Sequence, residues 1–334
     1  MRTHVDQRHG RVLELVRSRG SLRVADLARE LGVSPVTVRR DVEALAAQGR
    51  LRRLHGAVVW PGAEAVRAVP VLGMVVPGPE RCFAELVRGV RDAVAARDGR
   101  LVVGLSHHDP DEDPRQVARL LESGAEGLLL VPAWPRGTPP PGEAGRLAGT
   151  GVPTVLVDRA TPPGSPLAEL DSVLSDHVRG AAGAVRHLAA LGHRRVALVL
   201  REDPTAHRVA EGFAAGAAAC GLDDAGPPVT VPRDAAPAAI DAAVDRLCEA
   251  RERDGLRAAL VLDDQIALGV LQRLRQRGVL VPADFALVAY EDDLAALADV
   301  PLTAVAPPRH AVGETAAHLL LDRMTAVSYP PLTP

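Results

Sequence analysis

The sequence contains no lysine; all 39 of its Lys and Arg positions are arginine, and aromatic residues make up only 2%. Both skews are those of GC-rich coding and exclude little by themselves. Cysteine excludes more: Cys82, Cys220 and Cys248 are odd in number, far apart and without a CxxC spacing, so neither a disulfide framework nor a thiolate metal site is expected. No apolar run approaches the roughly 18 residues of a membrane span. The stretch from Met1 to Arg11 is polar and arginine-bearing where a secretion signal carries an apolar core. These absences predict a cytoplasmic protein with reduced thiols and no membrane contact. Absent too are a GxGxxG fingerprint, a Walker loop and a GxSxG elbow, so the chain lacks the common motifs of nucleotide and acyl-transfer chemistry.

What is present is 334 residues of 47% hydrophobic composition, enough for two or three domains with real cores. The net charge of −3 conceals a division. Residues 1–60 hold 12 arginines against 6 acids, a net of +6, and the other 274 residues hold 27 against 36, a net of −9. A small basic domain precedes a larger acidic one, an arrangement that favours a polyanion at the N-terminal part and repels it from the rest.

In the basic part, Val12, Leu13, Leu15 and Val16 mark one amphipathic helix, and Val24, Leu27, Ala28 and Leu31 recur at helical spacing on a second. Ser34 followed by Pro35 is a helix start, an N-cap and a first-turn proline, and predicts a third helix running to about Gln48 and closed by Gly49. At 100° per residue Val38, Val42 and Leu45 face the core. Val36, Arg40 and Glu43 then point away from it, with Thr37 and Arg39 on the flanks. A helix whose exposed first turns carry Thr, Arg and Arg is built like a recognition helix for the major groove. After it, "LRRLHGAVV" alternates about a glycine as a two-stranded wing does, which gives Arg52, Arg53 and His55 to phosphate or the minor groove. Ser34, Val36, Thr37, Arg39, Arg40, Arg52, Arg53 and His55 are therefore the candidate DNA-binding residues.

The segment "RVADLARELGVSPVTVRRDVEALAAQGRLRRLHGAVV" resembles the winged helix-turn-helix of DeoR-type bacterial repressors over roughly residues 6–59. The "RRD" and the wing "LxRxHG" stand at that family's distance, with Ala57 directly after Gly56 where the family usually has a second glycine.

Residues 61–70 lack periodicity and read as a linker. From Val71, short apolar runs ("VLGMVV", "RLVVGL", "GLLLV", "VPTVLV", "RVALVL", "AALVL", "FALVAY") alternate with helical segments, which argues for parallel sheets with right-handed crossovers in two doubly wound subdomains. "GVPTVLVDR", "SDHVRGAAGAVRHLAALGHRRVALV", "DDQIALGVLQRLRQRGVLVPADFALVAYEDD" and "PLTAV" are similar, in order, to the sensor of the LacI and periplasmic-binding-protein group. The fold class expected is thus α/β, an N-terminal winged helix-turn-helix domain followed by a two-lobed periplasmic-binding-protein-like sensor with doubly wound parallel sheets. The resemblance implies a sensor over 71–334, with lobe one about 71–158 and 293–323 and lobe two about 159–292. It also implies a small polar effector, a sugar or sugar derivative, between the lobes at the carboxyl ends of the strands.

Asp158 and Glu291 both end strands, and carboxylates suit a hydroxyl-rich ligand because each oxygen accepts hydrogen bonds. The resemblance assigns them to ligand contact from the two walls, with Glu at 291 where Asp is usual. Asp263 is assigned either to ligand contact or to a helix cap, and Asp264 to a cap. Phe83 is placed under the effector or in the core. Arg208 stands four residues before Gly212 where the family's interval is three. His107 is placed to reach the cleft, and Arg81 replaces the family's asparagine in the first-strand loop, which admits an acidic effector. "HHDPDEDP" at 107–114 is dense in metal-ligand types but consecutive in a loop, so it reads as a turn and helix start rather than a metal site. No cofactor is expected.

The reading that follows is a ligand-responsive DNA-binding transcriptional regulator, a homodimer on double-stranded operator DNA and a repressor of a sugar or carbon-source operon. Two alternatives are a sugar-binding or metabolic enzyme on a doubly wound fold and a winged-helix protein-interaction module. The first wants a nucleophile and base that the candidate acids lack; the second wants an acidic exposed face where residues 34–53 are net basic. The chain ends in "TAVSYPPLTP" where the resembling sensors continue into a further strand.

Overall fold

The computed structural model describes residues 2–54, 57–60, 69–134, 138–159, 161 and 164–327. The chain divides into a unit built on residues 1–70 and a second spanning Val71–Met324.

In the first unit α1 (Arg2–Arg19), β1 (Ser21–Arg23), α2 (Val24–Leu31) and α3 (Pro35–Ala47) are followed by β2 (Arg52–Leu54) and β3 (Ala57–Val59). Gly32 ends α2 in the left-handed conformation, at φ 63, which a β-carbon would disfavour. The helices enclose a core of Val12, Val16, Leu27, Val38, Val42, Leu45 and Leu51. The wing differs from the two strands expected. The strand order is β1-β3-β2, all antiparallel, because Ser21–Arg23 pairs with the far edge of β3.

The second unit contains two five-stranded parallel sheets. β4 (Val71–Val76), β5 (Arg100–Leu105), β6 (Gly127–Leu130), β7 (Thr154–Val157) and β8 (Asp171–Val173) form one, in the order β5-β4-β6-β7-β8. β9 (Ala197–Arg201), β10 (Val229–Val231), β11 (Ala258–Leu262), β12 (Ala286–Tyr290) and β13 (Thr303–Val305) form the other, in the order β10-β9-β11-β12-β13. Each sheet has its second strand outside its first, so the winding reverses direction beside the first strand, and a crevice opens there at the carboxyl ends. The helices between strands are α4 (Arg81–Ala95), α5 (Glu112–Glu122), α6 (Glu143–Ala148), α7 (His177–Ala190), α8 (Ala206–Cys220), α9 (Pro237–Asp254) and α10 (Asp264–Gln276). The helix α11 (Arg309–Val327) returns to the first lobe, where Val312, Ala316, Ala317 and Leu320 pack with Leu72, Met74 and Val90.

Strand pairing corrects the lobe boundaries. Lobe one does not end near residue 158, since Asp171–Val173 still pairs with β7. Lobe two does not end at 292, since Thr303–Val305 pairs with β12. The chain therefore passes between lobes just before α7 and just before α11.

The close packing of α7 on α8 depends on glycine in α8, most of all at Gly212 and less tightly at Gly216. A β-carbon at Gly212 would lie 2.1 Å from the carbonyl oxygen of Val178, well inside van der Waals contact.

Candidate functional site

The first candidate surface is α3. Its core face holds Val38, Val42 and Leu45, all essentially fully buried, while Val36 is 57% exposed and Arg39 and Arg40 are exposed. The Ser34 hydroxyl accepts from the Thr37 amide at 3.2 Å, and the two hydroxyls lie 2.9 Å apart. Thr37 is thereby tied into the cap and is only half-exposed. Asp41 is buried and accepts from Arg8 Nε at 2.5 Å and Nη2 at 3.0 Å, with His9 Nε2 at 3.1 Å. Burial works against its charge, but Arg8 and then His9 outweigh that and hold the carboxyl below the usual range. The aspartate of "RRD" therefore fastens α1 to α3 and fixes how the recognition face is presented, a role with no signal in helical spacing alone. Among the described residues Arg39 and Arg40 have no carboxylate partner. Arg52 is exposed on β2, Arg53 lies on the same strand, and His55 lies outside the described residues.

The second candidate site is a cavity of about 670 Å³ between the lobes of the sensor, at the ends of β5, β6 and β9. Lobe one contributes His108, Ala133 and Trp134; lobe two contributes Arg201, Glu202, Asp203, His207 and Arg233. One contact crosses it: Arg233 Nη1 donates to His108 Nδ1 at 3.1 Å, while His108 Nε2 lies 2.5 Å from Glu80. A guanidinium can only donate, so Nδ1 accepts and the ring proton is on Nε2, toward Glu80. On the lobe-two wall Arg201 Nη1 donates to Asp263 at 2.5 Å. Charges of opposite sign alternate around a space with many donors and acceptors. Such a lining satisfies a polar, hydroxyl-rich guest without leaving a large net charge.

The structure redistributes the expected effector residues. Asp158 and Glu291 do not face each other across the cavity; both bind Arg309, Asp158 at 3.5 Å and Glu291 in direct contact. Asp158 also accepts from the Ser175 amide at 3.4 Å and faces His177 Nε2 at 3.3 Å, with Tyr290 on the far side of that ring at 3.0 Å. Two nearby carboxylates shielded from water need a counter-charge, and Arg309, at the second crossing between lobes, supplies it. Burial opposes the charge on Asp158, yet His177 and Arg309 hold its carboxyl well below the usual range. At Glu291 burial wins over Arg309 and pushes the carboxyl up to about 8. Glu291 lines a separate cavity of about 360 Å³ with Asp292, Asp293 and Arg309.

Asp263, not Asp264, caps α10: its Oδ1 accepts from the Ile266 amide at 3.1 Å, and its other oxygen takes Arg201. Asp264 instead accepts from the Leu294 amide at 2.5 Å and so holds the loop after β12. His107 is exposed and its neighbour His108 lines the cavity, since both residues take positive φ in a turn pinned by the His108 amide on Pro77 O. Phe83 packs on the lobe-one core with its ring tilted against His108, centroids 6.3 Å apart. Arg208 does not line the cavity; its Nε is buried with no partner among the described residues. Arg81 is exposed at the start of α4. The acids and histidines of 107–114 diverge: Asp109 accepts from the Asp111 amide, Asp113 from that of Ala133, and His108 turns to the cavity. Among the described residues no group of three or more His, Cys, Asp or Glu could hold a metal, and no helix is long and apolar enough to cross a membrane. Trp134, Arg201, Arg233 and Arg309 were not anticipated. Each stands singly in a turn or at an element end, where periodicity is silent.

Residues 8–62 match a DeoR-like helix-turn-helix domain, and residues 185–333 match a periplasmic binding protein-like domain. Over 314 aligned residues the chain is 26% identical to the transcriptional repressor CytR of Escherichia coli K12, covering 90% of this chain and 89% of that protein. It is 29% identical to the ribose operon repressor of the same strain, covering 90% and 92%. Among solved structures, the complex of the transcriptional regulator CelR with cellobiose superposes with a TM-score of 0.66 at 25% identity, over 90% of this chain and 87% of that one. A LacI family regulator from Enterococcus faecium with bound ribose gives 0.61 at 23% identity, over 78% and 92%.

Proposed function

We propose that this chain, whose head is a DeoR-like helix-turn-helix domain and whose sensor is periplasmic-binding-protein-like, is a ligand-responsive transcriptional repressor of a sugar or carbon-source operon. The observation that carries the reading is α3: one face is buried, and the other offers Arg39 and Arg40, exposed and without a carboxylate partner among the described residues. Arginine in that position neutralises phosphate and holds guanine edges in the major groove. The sensor, with 27 arginines against 36 acids over residues 61–334, carries a net charge that repels phosphate.

The effector is a small polar molecule, a sugar or sugar derivative, bound in the cavity that His108, Trp134, Arg201, Asp203 and Arg233 line. The alternating charges there favour a neutral polyol, and the relatives bound to cellobiose and ribose support the same class. Effector acts by binding one arrangement of the lobes more tightly than the other, which is the only way it can shift DNA affinity. Asp158, Glu291 and Arg309 hold the crossings about which the lobes move, and Asp263 orients Arg201 from behind. The protein catalyses no reaction and reads paired half-sites as a homodimer, because a single short winged domain covers too little DNA for tight specificity.

The test is fluorescence anisotropy of a labelled fragment from the region upstream of its own gene, with unrelated DNA as competitor. Saturable binding that resists competitor and weakens steeply between 50 and 200 mM salt is expected. Binding no tighter than to the competitor would overturn the reading. Sugars that raise the melting temperature of the protein are then tested for release of the fragment.

A further inference from the structure

Two of the four polar side chains on the first turns of α3 are already engaged. Thr37 is held by Ser34, and Asp41 by Arg8 and His9. What remains on the outward face of those turns is Arg39, Arg40 and Val36. The valine is the anomaly. At 57% exposure it adds little to the core, and it is the large apolar side chain that α3 exposes among the described residues. A β-branched residue there is also a weaker helix former than alanine. Its position has a consequence: Val36 and Arg40 are four residues apart, so they stand on one face with β-carbons roughly 6 Å apart. Bases along a strand are spaced about 3.4 Å, so the two side chains reach edges one or two steps apart. In the major groove the apolar feature on a base edge is the thymine 5-methyl group, and the edge matched to an arginine fork is guanine O6 and N7.

We propose that Val36 is a base-reading residue, packing on the 5-methyl group of a thymine that lies one or two base steps from a guanine held by Arg40. The inference rests on the DNA-binding reading and goes beyond it by stating which base pair the apolar side chain selects. An acidic protein docked on the same face would use Arg39 and Arg40 but have no such requirement.

The test begins with sites selected from random duplex DNA by the full-length protein. In the preferred site each thymine is replaced singly by deoxyuridine, which removes the methyl group and nothing else. Affinities are measured for wild type, Val36→Ala and Arg40→Ala. One thymine per half-site is expected to matter to wild type, with affinity falling about fourfold on loss of one buried methyl. Val36→Ala binds the thymine site weaker by a similar factor and does not distinguish thymine from deoxyuridine there. Arg40→Ala loses affinity at the nearby guanine yet keeps the thymine preference. Because Val36 is exposed and alanine is the better helix former, Val36→Ala melts at or slightly above the wild-type temperature. Wild-type indifference to every replacement, or an unchanged thymine preference in Val36→Ala, overturns the inference and leaves the DNA-binding reading intact. Failure to select any site overturns both.

Discussion

Asp41 shows how one side chain sets up a surface it does not belong to. Its carboxylate is buried against Arg8 and His9, so its loss leaves α1 and α3 without their polar tie. Asp41→Asn is expected to destabilise the head by about 2 kcal/mol, between the ranges for exposed and buried pairs, as read by urea unfolding. Because the folded carboxyl is held below its unfolded value, this stabilisation is present above the unfolded value of about 4 and is lost as pH falls. The acid limb of the head's stability curve should therefore flatten in Asp41→Asn. Glu291 has the opposite sign. Burial raises its carboxyl to about 8, so the folded state holds a proton that the unfolded state gives up near 4.3. Sensor stability should then fall as pH rises from about 4.3 towards 8, a slope that Glu291→Gln removes; equal slopes in a thermal melt series from pH 6 to 9 would contradict the assignment. On the DNA side, Arg40→Ala is expected to cost about 1–3 kcal/mol on specific sites. Arg53→Ala lowers affinity for all sequences alike and flattens the salt dependence.

At the scale of elements, legibility in the sequence followed burial. The runs at β4, β6, β7, β9, β11 and β12 are mostly buried and read plainly as strands, and α3 was placed by Ser34, Pro35 and its apolar spacing. The strands that periodicity alone did not supply, β8, β10 and β13, have three residues each and lie at sheet edges. An edge strand needs little apolar sequence, so its pairing leaves no periodic trace. The lobe boundaries were misplaced for that reason. The cavity was harder to see than the fold: His108, Arg201 and Arg233 are charged or polar residues in turns or at strand ends, and only tertiary structure brings them together. Asp158 and Glu291 were correctly seen to end strands, but nothing in their own segments announces Arg309 as the partner they share. Helix packing gives its own prediction. Gly212→Ala forces a β-carbon onto the Val178 carbonyl and should cost about 1–3 kcal/mol by separating α7 from α8. Gly183→Ala, whose new methyl meets only the tip of Arg186 at an ordinary 3.8 Å, should be neutral or stabilising through helix propensity. Similar melting temperatures for the two variants would show that this helix pair tolerates separation.

For the whole molecule, the division of charge matches the proposed division of labour: a basic head for the polyanion and an acidic sensor whose open, nearly charge-balanced cavity is the proposed site of a small polar guest. The account stands on the coupling of these parts, which is reciprocal by thermodynamic necessity. An effector that loosens the grip on DNA is itself bound more weakly by the DNA-bound protein. The most direct measurement is a titration of the full-length protein on its selected operator by fluorescence anisotropy, without effector and with a saturating sugar chosen for raising the melting temperature. Operator affinity is predicted to fall between about 5-fold and 150-fold with the sugar, the usual range of such couplings, while weak binding to unrelated DNA is unchanged. A sugar that stabilises the protein yet leaves operator affinity the same would contradict the claim that the cavity controls the head.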